Sequence, residues 1–241
     1  MSLQFNDTTN NAGIVQLIDS NVKTNRVSYS LKDITRDVNL ALDYIYATIF
    51  DCGGTWQFDD SNHTDYPIIT TNLASGTRDY PFVTDEQGNF ILDIYKVMVK
   101  DEAGIYQEIK PVDMQSEADM KSFYDGLNET GVPTRYDKTA NGIFLDRIPS
   151  YNSSGGLKVF INRTGSYFVS TDTTKKPGFS PLFHEFLALR PSYQYAFRNS
   201  LKNMISIQNE MLLMEEKIKK HYGKRERDIK RQLKANVENN H

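Results

Sequence analysis

His184 followed by Glu185 is the pairing that zinc peptidases carry on a helix, where two histidines one turn apart hold the metal and the glutamate draws a proton from bound water. The second histidine would fall at position 188, and Ala188 stands there. The other histidines, His63, His221 and His241, and the single cysteine, Cys52, make no set with a recognisable ligand spacing. Neither a metal nor another cofactor is therefore expected, and His184 reads as a packed residue. Asp59, Asp60, Asn62, His63 and Asp65 offer donor atoms but lack the loop glycine and terminal glutamate of a calcium hand, so they read as a solvated turn. There is no Gly-x-Ser-x-Gly elbow, no histidine near Cys52 in sequence, and CGGT and SSGG lack the remaining residues of a phosphate loop. Carboxylate pairs for glycosidic chemistry stay open, since their members can be remote in sequence, yet nothing points to them. The expectation is a protein that is not an enzyme, with no catalytic residues.

The chain has 241 residues, enough to bury a sizeable core, with 39% hydrophobic, 24% charged and 12% aromatic residues. A net charge of -3 argues against a dedicated nucleic-acid binder, which carries a basic excess. One cysteine cannot make an internal disulfide, and neither a membrane-length apolar run nor a signal-peptide pattern is present. Synthesis and folding are expected in the cytosol.

The elements that must hold these residues follow from the hydrophobic period. After a polar arm over 1–13, Ile34, Val38, Ala41, Leu42, Ile45 and Ile49 recur at helical spacing, with Ser30 and Asp33 in capping-box positions. The N-terminal helical segment is placed at 14–65. Across 66–172, PIITTNL, DYPFV, FILDIYKVMVK, IYQEIKPV, TRYDKT, GIFLDRIP, LKVFINR and GSYFVST read as short strands. Asn141-Gly142 suits a turn needing positive φ, and DMQSEADMKSFYDGL interrupts with a helical period. C-terminal helices occupy 173–222, opened by Ser180-Pro181, with a kink or restart expected at Pro191. From Ser192 a long helix carries Leu201, Met204, Ile205, Met211, Leu212, Ile218 and Tyr222 as one apolar stripe. A basic tail fills 223–241, readable as a solvated helix end or as a segment that docks on an acidic partner. The fold class is α+β: a helical scaffold from both chain ends with an inserted antiparallel, sandwich-like β block.

Phe179, Phe183, Phe186, Tyr193, Tyr195 and Phe197 cover more than one face of the C-terminal helices. A helix apolar on two sides needs two partners: one is the N-terminal helix, the other either the β block or a neighbouring copy, and Phe183, Phe186, Tyr193, Tyr195 and Phe197 are the residues expected to pack between subunits.

An ordered set of motifs carries a resemblance: Trp56, Tyr66-Pro67, Leu73 with Gly76 and Tyr80, Gly131 with Pro133 and Tyr136, Ile143 to Pro149, and a proline-led aromatic helix from Pro181. In this order the chain, from about Gly13 to Lys234, resembles the head-to-tail adaptor (connector) proteins of tailed bacteriophages. The resemblance implies a structural virion protein of the neck, assembled in the host cytoplasm. It would form a ring, typically of twelve copies, beneath the portal protein. That ring would extend the channel through which double-stranded DNA passes without sequence recognition, and it would dock tail or nozzle proteins. By the same resemblance Arg225, Arg227, Lys230 and Arg231 would contact the portal. No membrane partner is implied. The alternative from another class is a carbohydrate-binding or adhesion module on the β block, with tyrosines as an aromatic platform.

Overall fold

The computed structural model describes residues 2–24, 26–52, 68–84, 88, 90–113 and 115–225, with the backbone alone for residues 224 and 225. Among these residues the chain forms helices α1 (Ile14–Val22), α2 (Leu31–Cys52), α3 (Glu117–Gly126), α4 (Phe186–Arg198) and α5 (Met204–Arg225). Seven strands accompany them: β1 (Ile68–Leu73), β2 (Asp79–Pro81), β3 (Ile91–Lys100), β4 (Tyr106–Pro111), β5 (Arg135–Thr139), β6 (Gly142–Leu145) and β7 (Ser153–Arg163). This is an α+β chain. It divides into two compact units, one of residues 1–56 and 167–241, the other of residues 57–166.

In the first unit α4 packs against α1, α2 and α5, and α2 also meets α5. Ile14, Val15 and Ile18 of α1, Ile34, Val38 and Ile49 of α2, and Leu187 and Ala188 of α4 are fully buried between them. Each large aliphatic side chain so buried contributes about 1.5–3 kcal/mol. The start of α2 is fixed where the capping residues put it: the Asp33 amide donates to Ser30 Oγ at 3.2 Å, and that hydroxyl donates to the Asp33 carboxylate at 2.6 Å. The N-terminal residues join this unit, since Phe5 is buried and stacks on Phe168 at 4.8 Å, and its amide donates to the Lys175 carbonyl at 2.8 Å.

Two features of the C-terminal helices differ from expectation. Pro191 does not restart the chain; it lies in the second turn of α4, which continues to Arg198. A proline there removes a single amide donor, and its ring is buried. The break comes instead at Asn199–Asn203. Ser200 takes a left-handed φ of 50°, its amide donates to Phe197 O, and the Leu201 amide reaches back to Ala196 O at 2.9 Å. That pair of bonds is a Schellman stop built without glycine.

The second unit, expected as a sandwich-like antiparallel block, holds one curled sheet in the order β1-β7-β3-β4-β5-β6-β2. Its pairs are antiparallel except β4–β5, which is parallel. Parallel neighbours need a crossover, and the segment carrying α3 supplies it. All seven strands contribute to a single core, including Leu73, Tyr80, Val97, Ile109, Tyr136, Ile143 and Val159. Asn141-Gly142 does not adopt positive φ; β5 and β6 join through a two-residue turn at Ala140-Asn141. Gly142 is required by proximity, since a Cβ there would stand 2.2 Å from Tyr80 O. The expected last strand GSYFVST does not form. Phe168 belongs to the first unit, where its amide and carbonyl pair with the side-chain amide of Asn39 on α2, both at 2.9 Å.

Candidate functional site

His184 lies between the 3₁₀ turn Pro181–Phe183 and α4, and it is 1% exposed. Its Nδ1 accepts the Leu3 amide at 3.1 Å, so Nε2 carries the proton and donates to the Phe179 carbonyl at 3.0 Å. Burial holds its pKa below the usual imidazole value, while the two backbone bonds act in the opposite direction. Both ring nitrogens are used inside the fold. The ring can neither ligate a metal nor take a substrate proton, and it anchors the N-terminal residues to the helices.

A second buried polar cluster escaped the sequence reading. Asp37 of α2, 1% exposed, accepts Tyr29 Oη at 2.7 Å, Arg36 Nε at 3.0 Å and Arg198 Nη2 at 3.0 Å. Burial and the Asp37 carboxylate push the Tyr29 phenol well above its ordinary value. The cluster clamps the start of α2 to the end of α4. Nearby, the Arg190 guanidinium lies 3.7 Å from the centre of the Tyr44 ring. Glu215 bonds Lys219 at 2.6 Å; burial opposes its ionisation, but the bonds from Lys219 and Tyr44 leave its pKa lowered. These groups are paired with one another, and among the described residues no group of three His, Cys, Asp or Glu is placed to hold a metal ion. No described helix is long and apolar enough to cross a membrane.

The five aromatics expected to face a neighbour divide sharply. Phe183 and Phe186 are buried in their own unit, Phe183 against His221 and Tyr222 and Phe186 against Tyr44, so neither is free to meet another subunit. Tyr195 is half-buried and stacks on Tyr29 at 4.5 Å. Tyr193 is half-buried beside Phe197, and Phe197 is 63% exposed.

The apolar stripe expected on the long helix is in fact two. Ile207, Met211, Ile218 and Tyr222 of α5 face inward and are buried. Ile205, Leu212 and Leu213, exposed by 63, 47 and 59%, lie on the other side of α5, and Leu212 and Leu213 with Asn209 and Glu216 border a shallow groove. Positions 205, 209, 212, 213 and 216 repeat at helical spacing, so they form one continuous outward stripe. Exposed apolar rows of this kind mark interaction sites. This stripe, with Phe197, is the candidate functional surface.

Of the four cationic residues expected at a partner contact, Arg225 ends α5, with no side-chain description, and Arg227, Lys230 and Arg231 lie outside the described residues. Trp56 and Tyr66-Pro67 lie outside them too, as do Asp59, Asp60, Asn62, His63 and Asp65. Three further motif residues, Gly76, Tyr80 and Asp146, make hydrogen bonds within the sheet unit. Tyr80 Oη accepts the Ala74 amide at 3.0 Å and donates to Thr77 O at 3.3 Å, and the Gly76 amide donates to Pro149 O at 3.0 Å. Asp146, within the Ile143 to Pro149 motif, accepts the Thr134 amide and hydroxyl at 2.9 and 2.7 Å. No family model and no curated protein matches the chain.

Proposed function

We propose that the chain is a structural ring subunit, a head-to-tail adaptor of a tailed bacteriophage. Its two chain ends would form the helical scaffold into which the β block is inserted. The observation that carries the reading is the outward row Ile205, Leu212 and Leu213 on α5, a helix whose opposite face is already buried. A ring subunit needs two different adhesive faces, because heterologous contacts close a ring only when each copy offers both. A helix apolar on both sides supplies one of them. The ordered motifs from Leu73 to Tyr136 and from Pro181 onward support the same reading through their resemblance to adaptor proteins.

In this role the chain catalyses nothing. It joins the portal to tail or nozzle proteins and extends the channel for double-stranded DNA. The basic run after Tyr222 would dock on the portal. The test mixes the full chain with the portal protein of the same genome and examines the product by electron microscopy. The reading expects a ring seated on the portal ring, lost when the chain is truncated after Tyr222 while the circular dichroism spectrum keeps its form. Persistent absence of association under every assembly condition would refute it.

A further inference from the structure

The curled sheet presents a lysine-rich outer face that the adaptor reading does not use. Its rows follow from the strand register. Lys96 lies opposite Phe160, which lies opposite Ile68; Met98 is flanked by Lys158 and Glu108, with Thr70 beyond Lys158; Lys100 lies opposite Tyr106. The alternate positions Val97, Val99, Leu157 and Val159 are fully buried, so this set faces outward. Three ammonium groups therefore share a small patch with one carboxylate, Glu108, which binds Lys96 at 2.8 Å. Residues 57–166 as a whole carry seventeen Asp and Glu against ten Lys and Arg, so a lysine-rich face runs against the charge of its unit.

We propose that the outer face of β1, β7, β3 and β4 binds an acidic polypeptide segment of a partner protein. Single-stranded nucleic acid also seeks lysine with aromatic rings, but it needs open ring faces on which bases stack. Here Lys158 and Lys100 lie 4.1 and 5.1 Å from the centre of Tyr106, and Lys96 lies 5.7 Å from that of Phe160. The rings are occupied by cations. The acidic net charge of the unit disfavours a long polyanion, whereas a short segment feels the local lysines. The face already satisfies Lys96 with a carboxylate, and Ile68 and Met98 give apolar side chains a place between the charges. The inference stands independently of the adaptor reading.

The test measures fluorescence anisotropy of a labelled oligoglutamate peptide and of a labelled oligo(dT) of equal charge against the full chain. A triple variant, Lys96→Gln, Lys100→Gln and Lys158→Gln, is compared, with its thermal unfolding checked against the parent. The expected result is salt-sensitive peptide binding that weakens about tenfold or more in the variant. Peptide binding that is absent, or equal in both proteins, overturns the proposal. Tighter binding of oligo(dT) than of peptide overturns it in favour of nucleic acid.

Discussion

His184 is held neutral inside the fold, and this has a defined pH signature. Its folded pKa lies below the unfolded value of about 6.5, so the unfolded chain binds the extra proton first. In the sequence the zinc-peptidase pairing is broken, because Ala188 occupies the place of the second histidine. Its bond to Leu3 was not legible, since the partner is 181 residues away. As pH falls below about 6.5, stability should drop by up to about 1.4 kcal/mol per unit until the folded pKa is reached. Urea unfolding at several pH values should show that slope in the parent and a smaller one in His184→Gln; equal slopes would contradict it. Asp37→Ala should cost about 2 kcal/mol, since it strips the acceptor from a buried tyrosine while both arginines can turn to water. A double-mutant cycle with Tyr29→Phe should give a coupling energy of about 0.5 kcal/mol or more, and additivity would deny the clamp.

Among the elements, the helical periods of α2 and the alternation of the strands were plain in the sequence because each side chain's burial follows its local repeat. The α4–α5 break was not. Pro191 is the strongest local breaker in the sequence, yet one lost amide in an early turn is tolerated, and the stop is made by Ser200 in a conformation that usually announces itself through glycine. Ser200→Gly should therefore change the unfolding midpoint little, whereas Ser200→Val should cost about 1–2 kcal/mol through the strain of a branched side chain at positive φ. Equal effects of the two would show that the left-handed turn carries no strain. Likewise β4 and β5 read as strands, but their parallel pairing depends on where α3 sends the chain and has no signature in either strand alone. The two faces of α5 were merged into one stripe because apolar spacing does not say which neighbour covers it.

At the scale of the whole molecule, the adaptor proposal requires copies of the chain to join. The motifs that support the adaptor reading, such as Tyr80 and Gly76, sit in the sheet unit as structural pins, so they report on a fold more than on a contact. Under that proposal the contact runs through the exposed outer row of α5. Leu212→Glu combined with Leu213→Glu adds charge only at exposed positions, so the thermal unfolding of the isolated chain should stay close to the parent's. The most direct measurement is native mass spectrometry of the parent and of this double variant, each alone and with the portal protein of the same genome. The account predicts a closed oligomer of defined copy number for the parent, alone or on the portal, and its loss in the variant. A parent that stays monomeric in both settings, or a variant that assembles as well as the parent, would contradict it.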